Sequence, residues 1–92
     1  MSKYQIDFSN RYKTHYKKLS KQDALKVDTI IKRLANGEVL EPKYNDHALM
    51  GNFKDYRECH IKPNLLLIYQ RQENKLILYC LDIGSHSTLF KK

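Results

Sequence analysis

The sequence predicts an α+β domain in which a small, antiparallel-rich sheet packs against a helical hairpin, in the order β-α-α-β-β-β. One short segment near the N-terminus alternates apolar and polar residues, and two segments with helical spacing of apolar residues follow it. Three strand-like segments separated by turn residues occupy the second half of the chain. A hairpin with apolar stripes requires a sheet to cover it, which favours this two-layer arrangement.

The first strand and the first helix are predicted for the N-terminal 20 residues. Residues 4–8 alternate in polarity, which indicates a strand with one apolar face. Ser9 or Asn10 then offers a side-chain oxygen as the N-cap of a helix. The other face of this helix is basic and carries Arg11, Lys13, Lys17 and Lys18. His15 also lies in this basic helix, and we assign it no functional role.

The second helix is predicted to begin after Ser20 and to end before Gly37. Ser20 and Asp23 form a capping-box pattern, with Asp in the place where Glu is preferred. The apolar stripe of the helix is formed by Ala24, Val27, Ile31 and Leu34. Gly37 suits the left-handed position that ends many helices. Residues 38–52 have weak periodicity, and we expect them to form a loop that presents His47.

Three strands are predicted in the second half, at residues 56–61, 65–71 and 76–82. The unbroken apolar run in residues 65–69 is typical of a central strand that is buried on both faces. Pro63–Asn64 is predicted to form a turn. Beyond the last strand, Gly84–Ser87 leaves the sheet and Leu89–Phe90 closes against it.

Length and composition indicate one small domain spanning residues 1–92. No apolar run approaches the roughly 20 residues of a membrane helix, and the first residues lack an apolar signal core. We therefore expect a cytoplasmic protein without a membrane partner. Cys59 and Cys80 fall in strand-like sequence and are expected to be buried, reduced thiols, although the sequence leaves a disulfide between them open.

The charge of the chain indicates an anionic partner. Lys and Arg number 17 against 10 Asp and Glu, which gives a formal net charge of +7. A positive surface potential of this size attracts nucleic acid first and an acidic protein second. The alternative is a basic surface that serves solubility only.

Three histidines of the second half are the candidate catalytic residues: His47, His60 and His86. Histidine gives or takes a proton near neutral pH. Because neighbouring strands lie about 4.8 Å apart, two strand ends and a loop can bring the three rings together at one edge of the sheet. RNA cleavage requires a base for the 2′-hydroxyl proton and an acid for the departing 5′-oxygen, which two such rings supply.

Polar neighbours of His60 are candidates for contacts with the substrate. Arg57 and Lys62 are expected to lie beside His60 and to stabilise the charge of the phosphorane. Asn64 is expected to orient an imidazole or to donate a hydrogen bond to the substrate.

A zinc centre is the competing use of the same histidines, because three imidazoles and a water describe one kind of catalytic zinc site. The spacings match no short metal motif, and we expect no acidic residue where it would support the ligands. The prediction is therefore a site without metal or cofactor.

Four segments carry a resemblance to a known family. They are Asp46-His47-x-Leu49-x-Gly51, Arg57-Glu58-Cys59-His60-Ile61-Lys62-Pro63, Leu65-Leu66-Leu67-Ile68-Tyr69 and Gly84-Ser85-His86-Ser87-x-Leu89-Phe90. In their order and spacing they resemble the YafQ branch of the RelE/ParE toxin superfamily, and the resemblance covers essentially the whole chain. It implies a RelE-like toxin domain.

The resemblance also implies an activity and its partners. Toxins of this branch belong to type II toxin–antitoxin pairs and are ribosome-dependent endoribonucleases that cut mRNA without metal. The implied general acid is His86, with His47 and His60 as further catalytic residues and Phe90 at the substrate site. The implied partners are a cognate antitoxin, the ribosome and mRNA, with operator DNA bound only through the antitoxin complex.

Two positions depart from the family pattern. Asn64 stands where Asp is common, which removes a carboxylate partner for a histidine. Asp82 stands where Arg is common, which replaces a phosphate-binding cation with an anion. A family member that binds ribosome, nucleic acid or antitoxin without cleaving is therefore one alternative function. A ParE-like inhibitor of DNA gyrase is another, and the histidines argue against it.

Overall fold

The computed structural model describes residues 2–90, and it confirms the predicted α+β class. The strands are β1 (Gln5–Phe8), β2 (His47–Ala48), β3 (Arg57–Lys62), β4 (Leu65–Gln72) and β5 (Ile77–Gly84). The helices are α1 (Asn10–Tyr16), α2 (Lys21–Ala35) and α3 (His86–Leu89). Met1, Lys91 and Lys92 belong to the predicted domain but lie outside the described residues.

The five strands form one sheet in the order β1-β5-β4-β3-β2. The edge strand β1 runs parallel to β5, while the other neighbouring pairs are antiparallel, as the sequence predicts. Strand β4 is central, and its residues from Leu65 to Tyr69 are all buried. The apolar run therefore marks a strand covered on both faces.

The segment predicted as a loop at residues 38–52 contains a strand that the prediction missed. Strand β2 lies between two 3₁₀ turns, Pro42–Tyr44 and Gly51–Phe53, and it pairs antiparallel with β3. A strand of two residues has no periodicity to detect, because its position is set by the neighbouring strand rather than by its own sequence. The pairing fixes the position of His47.

The helix termini follow the predicted capping. Ser9 Oγ accepts a hydrogen bond from the backbone N–H of Tyr12 at 3.0 Å, and Ser20 Oγ accepts one from Asp23 at 3.1 Å. Gly37 follows α2 with a φ of 85°, a conformation that glycine adopts at no steric cost. Each helix therefore begins at the residue that satisfies its free amides.

The sheet has two faces with different coverings. The hairpin face packs against α1 and α2; its core includes Tyr12, Val27, Ile31, Leu34, Leu67, Tyr69, Cys80 and Ile83. The opposite side, which we call the α3 face, has a smaller cluster of Leu66, Ile68 and Leu89, with Leu49, Tyr56, Leu81 and Phe90 packed around it. Because alternate strand residues point to opposite faces, this division decides which side chains of β3 meet the candidate site.

Both cysteines are buried and reduced, which confirms the prediction for them. Burial raises the pKa of Cys80 to about 12 and also raises the pKa of Cys59. They pack in the core of the hairpin face as small apolar side chains. Between residues 2 and 90, no helix has the length and apolar character that crossing a membrane requires.

Candidate active site

The pairing of the strands places the candidate catalytic residues on the α3 face. Glu58 lies opposite Ile68, and His60 lies opposite Leu66, whose side chain belongs to the α3-face cluster. His47 lies opposite Glu58 on the other side of β3. Directly opposed residues point to the same face of a sheet, so these polar side chains share that face with the leucine and isoleucine.

The structure brings the three predicted histidines together. The ring centroids of His47 and His60 are 6.2 Å apart, and those of His60 and His86 are 5.8 Å apart at an interplanar angle of 68°. His86 reaches this position because β5 ends at Gly84, next to the Leu66 row, and α3 begins two residues later. The cluster therefore draws one ring from β2, one from β3 and one from α3.

Glu58 is the buried carboxylate that holds two of these rings. Only 4% of Glu58 is exposed, and its Oε1 lies 3.3 Å from Nε2 of His60 and 3.5 Å from Nε2 of His47. A carboxylate buried in an apolar face costs free energy unless hydrogen-bond donors meet it. The bond to Glu58 therefore fixes the orientation of the His60 ring and places a proton on its Nε2.

His47 is held from its other side by the backbone. Its Nδ1 lies 2.7 Å from the carbonyl oxygen of Asn45, and a carbonyl only accepts, so Nδ1 carries a proton there. Asn45 has the left-handed conformation, with φ 46° and ψ 47°, which asparagine tolerates better than most residues. This turn aims the His47 ring at Glu58.

The structure separates Arg57 from His60, contrary to the expectation that they lie side by side. Arg57 lies opposite Tyr69 and therefore points to the hairpin face. Its Nε donates to Asp46 at 3.0 Å, and the Tyr69 hydroxyl donates to the same carboxylate at 2.6 Å. Burial and the bond to Asp46 raise the pKa of Tyr69, so its hydroxyl remains a donor. Arg57 and Tyr69 together hold Asp46, the residue that precedes His47.

Lys62 and Asn64 lie at the far end of β3. Lys62 Nζ donates to the carboxylate of Asp23 at 2.9 Å, which ties the strand to α2. Asn64 is exposed in the turn between β3 and β4.

Next to His60 a groove of about 550 Å³ runs between α2 and β3. Its lining combines the cations and rings of Lys26, Lys43, Tyr44, His60 and Lys62 with the apolar side chains of Ile30, Ile61 and Pro63.

Aromatic rings close the other side of the histidine cluster. The ring centroid of Phe90 lies 6.2 Å from that of His86, and the ring meets Phe53 edge-on at 5.8 Å. Helix α3 packs closely on the end of β5, since a Cβ on Gly84 would lie 3.2 Å from Cγ2 of Thr88. His86 itself is exposed on the first turn of α3.

Asp82 does not lie on the substrate-binding surface, where its position in the family motif had suggested that it would lie. It is fully buried, and its carboxylate contacts Arg11 Nη2 at 2.7 Å and His15 Nδ1 at 2.5 Å. The prediction that this anion occupies a phosphate-binding position is therefore wrong. His15, to which we assigned no functional role, is half-buried and is a partner of this carboxylate.

Comparison with protein families identifies the chain. The family described as the bacterial toxin of type II toxin–antitoxin system, YafQ, matches residues 4–91. The chain belongs to the YafQ toxin family. It is 32% identical to the mRNA interferase toxin YafQ of Escherichia coli K12 over 92% of this chain and 94% of that protein. It is 51% identical to the putative toxin YafQ of Haemophilus influenzae over 45 residues, which cover 49% of this chain and 44% of that protein.

Solved structures of bacterial toxins share the fold of this chain. A metal-bound toxin from Helicobacter pylori matches with a TM-score of 0.86 and 40% identity, over 95% of this chain and 99% of that one. The toxin in the E. coli DinJ–YafQ toxin–antitoxin complex matches with a TM-score of 0.83 and 30% identity, over 96% and 98%. The predicted family and the predicted RelE-like fold are confirmed.

The YafQ-family site contains residues that the sequence prediction missed. Glu58 precedes His60 by two residues in an alternating strand, and this spacing was the signal that both share a face. The expectation that no acidic residue supports the histidines is wrong, because ligand atoms of Glu58, His60 and His86 all lie within 4.8 Å of one another. Asp46 and Phe53 were missed because their partners are distant in sequence.

Proposed function

We propose that this YafQ-family toxin is an endoribonuclease that cleaves mRNA on the ribosome through proton transfers by its own side chains. The observation that carries the proposal is the cluster of His47, His60 and His86 on one face of the sheet, with Glu58 among them. The likeness to the E. coli mRNA interferase toxin, over nearly the full length of both chains, supports it.

The hydrogen bonds of the rings suggest how the proton transfers are divided. In neutral His60, a proton on Nε2 faces Glu58 and leaves the lone pair of Nδ1 free to accept the 2′-hydroxyl proton. The 2′-oxygen then attacks phosphorus, and the bond from phosphorus to the 5′-oxygen breaks to leave a 2′,3′-cyclic phosphate. His86, exposed at the start of α3, is assigned to protonate that 5′-oxygen. Each transfer contributes roughly 10²–10⁴ in rate.

His47 is assigned to hold positive charge near the phosphorane. Both of its ring nitrogens face acceptors, the carbonyl of Asn45 and the carboxylate of Glu58. A ring held by acceptors on both sides is fixed in place, and it is proposed to lie beside the phosphorane where negative charge develops. This role differs from that of His60, whose second nitrogen is assigned to the substrate.

Contacts with the RNA strand are proposed along the basic groove and the aromatic wall. Lys62 and the neighbouring lysines of the groove suit a phosphate backbone that passes His60. Phe90 offers a ring next to His86 on which a base can stack, an interaction worth roughly 1–3 kcal/mol. Asn64 is proposed to donate a hydrogen bond from the exposed turn. Arg57 is left out of this set because it points to the hairpin face.

A cognate antitoxin is the proposed protein partner. The E. coli relative was solved as a DinJ–YafQ complex, and its toxin superposes on this chain over 96% of the length. The formal charge of +7 favours an antitoxin that brings acidic side chains to the toxin. Operator DNA is proposed to bind only through that complex.

Metal binding is a second candidate function for the same cluster. The H. pylori relative, 40% identical, was solved as a metal-bound toxin. Tetrahedral zinc at about 2.0–2.2 Å from its ligands requires them to lie about 3.3 Å apart. The atoms of Glu58, His60 and His86 lie within 4.8 Å, so the exposed α3 would have to bring His86 closer. A bound metal would engage Glu58 together with the two imidazoles assigned to the proton transfers, and we propose that it inhibits cleavage.

Cleavage of mRNA on programmed ribosomes tests the main proposal. His86→Gln should lower the cleavage rate roughly 10²–10⁴-fold, while folding and antitoxin binding persist. Lys32→Gln, on the exposed surface of α2, is the control and should cleave at the parent rate. The same mRNA without ribosomes should stay intact. If the parent arrests growth and leaves ribosome-bound mRNA uncut, and His86→Gln arrests growth equally, the toxin acts by binding.

A further inference from the structure

Asp82 forms a buried ionic cluster that links β5 to α1. Its Oδ2 lies 2.7 Å from Arg11 Nη2, and its Oδ1 accepts from His15 Nδ1 at 2.5 Å and from the backbone N–H of Ile83 at 2.9 Å. Taking a carboxylate out of water costs several kcal/mol unless such donors replace its hydration. Two donors meet Oδ1, whereas Oδ2 receives no hydrogen bond and is compensated by the nearby charge of Arg11.

The cluster lies where the regular pairing of β5 breaks. Ile68 lies opposite Asp82, while the next residue, Tyr69, lies opposite Cys80, so Leu81 is an extra residue in β5. Such a bulge bends the strand and redirects the side chains that follow it. At the bulge, side-chain contacts therefore have to take over the stabilising role that backbone hydrogen bonds between strands have in the rest of β5.

Helix α1 supplies those contacts over three consecutive residues of β5. The backbone N–H of Ser9 donates to the Cys80 carbonyl at 3.0 Å, and the Ser9 hydroxyl donates to the Leu81 carbonyl. Arg11 and His15 then reach Asp82 from the same helix. The start of α1 is thus fastened to the bulge through backbone and side chains together.

The bulge controls the position of the last catalytic candidate. Two residues beyond Asp82, Gly84 ends β5 and packs against Thr88 of α3, where an added Cβ would lie 3.2 Å from Cγ2 of Thr88. His86 lies on the first turn of that helix, with its ring 5.8 Å from His60. One continuous stretch of chain thus leads from Asp82 at the bulge to His86 beside His60.

We propose that Asp82 is a positioning residue which, through Arg11 and His15, fastens the bulged end of β5 to α1 and so sets where His86 stands relative to His60. Its effect on cleavage rests on the proposed function of His86. Residues 10–16 include no acidic residue, so an anion at position 82 meets only cations on α1. An arginine at 82 would face Arg11 with no carboxylate between the two cations, which is why Asp82 suits this particular α1.

Charge substitutions with two kinds of measurement test the proposal. Asp82→Asn keeps the shape of the side chain and removes its charge. Asp82→Arg is made alone and together with Arg11→Gln and His15→Asp, which restores an opposite-charge pair with reversed polarity. Asp28→Asn is the matched control, because Asp28 also receives a hydrogen bond from α1, at 2.9 Å from the Tyr16 hydroxyl. The measurements are kcat and KM for cleavage, and the imidazole NMR signals of His86 and His60 in the free toxin.

Asp82→Asn should shift the His86 signals and lower kcat by up to about 10²-fold with KM little changed, since a misplacement of about 1 Å costs that much. Asp82→Arg should lower kcat further and shift the His86 signals more. The triple variant should restore the parent's His86 signals and kcat. Asp28→Asn should leave the His86 signals unchanged. If Asp82→Asn does not fold, recovery in the triple variant decides the outcome instead.

Two results separate failure of this proposal from failure of the proposed function. Unchanged His86 signals and kcat in a folded Asp82→Asn, or no recovery in the triple variant, would overturn the positioning role. If the His86 signals shift and recover as stated but the parent cuts no mRNA, the positioning role stands and the nuclease proposal fails.

Discussion

Nε2 of His60 donates to Oε1 of Glu58 across 3.3 Å, within a sheet face that is otherwise lined by leucine, isoleucine and aromatic rings. The two residues are separated by one position in β3, so their side chains leave the strand on the same side. The carboxylate has almost no access to water, and the imidazole supplies the donor that water would have supplied. This contact explains how a strand histidine is kept in one orientation.

Glu58→Gln should therefore slow mRNA cleavage while the protein stays folded. The amide keeps the size of the side chain, but it loses the charge that orients His60 and His47. Residues that orient a reacting ring typically change activity by about 10–100-fold, and we expect a loss in that range, mainly in kcat. Rates on programmed ribosomes check it.

Glu41→Gln is the matched control for Glu58→Gln, because Glu41 is an exposed carboxylate that pairs with Arg33 of α2 at 2.7 Å. It should cleave at the parent rate. Full activity of a folded Glu58→Gln would mean that the buried carboxylate contributes packing only.

The exposed lysines of the first helical segment should govern the salt dependence of ribosome association. Replacing Lys13, Lys17 and Lys18 with Gln removes three cations from one surface and leaves Arg11, which holds Asp82, in place. Each lost phosphate contact should lower the slope of log affinity against log salt by about 0.7–0.9. Association of the toxin with ribosomes, measured between low and high salt, gives that slope.

A second triple variant provides the comparison for those lysines. Lys32, Lys54 and Lys75 are exposed on other parts of the surface, and their replacement with Gln changes the net charge by the same amount. Equal slopes for the two variants would show that net charge matters and that the first-helix surface has no contact of its own.

The elements with periodic sequence were the ones that the sequence predicted well. The apolar stripe of α2 indicates a helix with one buried face, and the apolar run in β4 indicates a strand buried on both faces. Both patterns are readable because each spans many residues. Strand β2 escaped prediction because its two residues depend on β3 for their conformation. The alternation of β3 was already sufficient to place Arg57 and His60 on opposite faces, and the expectation that they lie together overlooked it.

Contacts between distant residues account for the rest of what the sequence did not predict. His15 and Asp82 are 67 positions apart, and no local pattern connects them. Convergence of His47, His60 and His86 followed from the motifs, whereas the carboxylate between two of them depended on the register of β2 against β3. Register is set by pairing and packing, which become visible only in three dimensions.

Both cysteines should resist alkylation in the folded toxin. Burial raises the pKa of Cys80 to about 12 and also raises the pKa of Cys59. At pH 8 only about one part in 10⁴ of the Cys80 thiol is therefore ionised. The thiolate is the reactive form, and the core also excludes the reagent. Mass spectrometry after iodoacetamide treatment should find unmodified protein, and two adducts after unfolding in urea. Rapid labelling of the native protein would mean that the sheet opens readily around β3 and β5.

Zinc should inhibit cleavage, and chelation should leave it intact. The ligand atoms of Glu58, His60 and His86 lie close enough to converge on one ion, but the proposed base and acid are the same two imidazoles. An ion that binds them engages both residues assigned to proton transfer, so the rate should fall as zinc saturates the site and return after chelation. Calorimetric titration should show weaker zinc binding by His86→Gln than by the parent, with Lys32→Gln as the unaffected control.

Because chelators also strip magnesium from ribosomes, the cleavage assay must restore magnesium after EDTA. Loss of cleavage in EDTA that zinc reverses and magnesium does not would instead make the cluster a catalytic metal centre, and the division of roles between His60 and His86 would have to be abandoned.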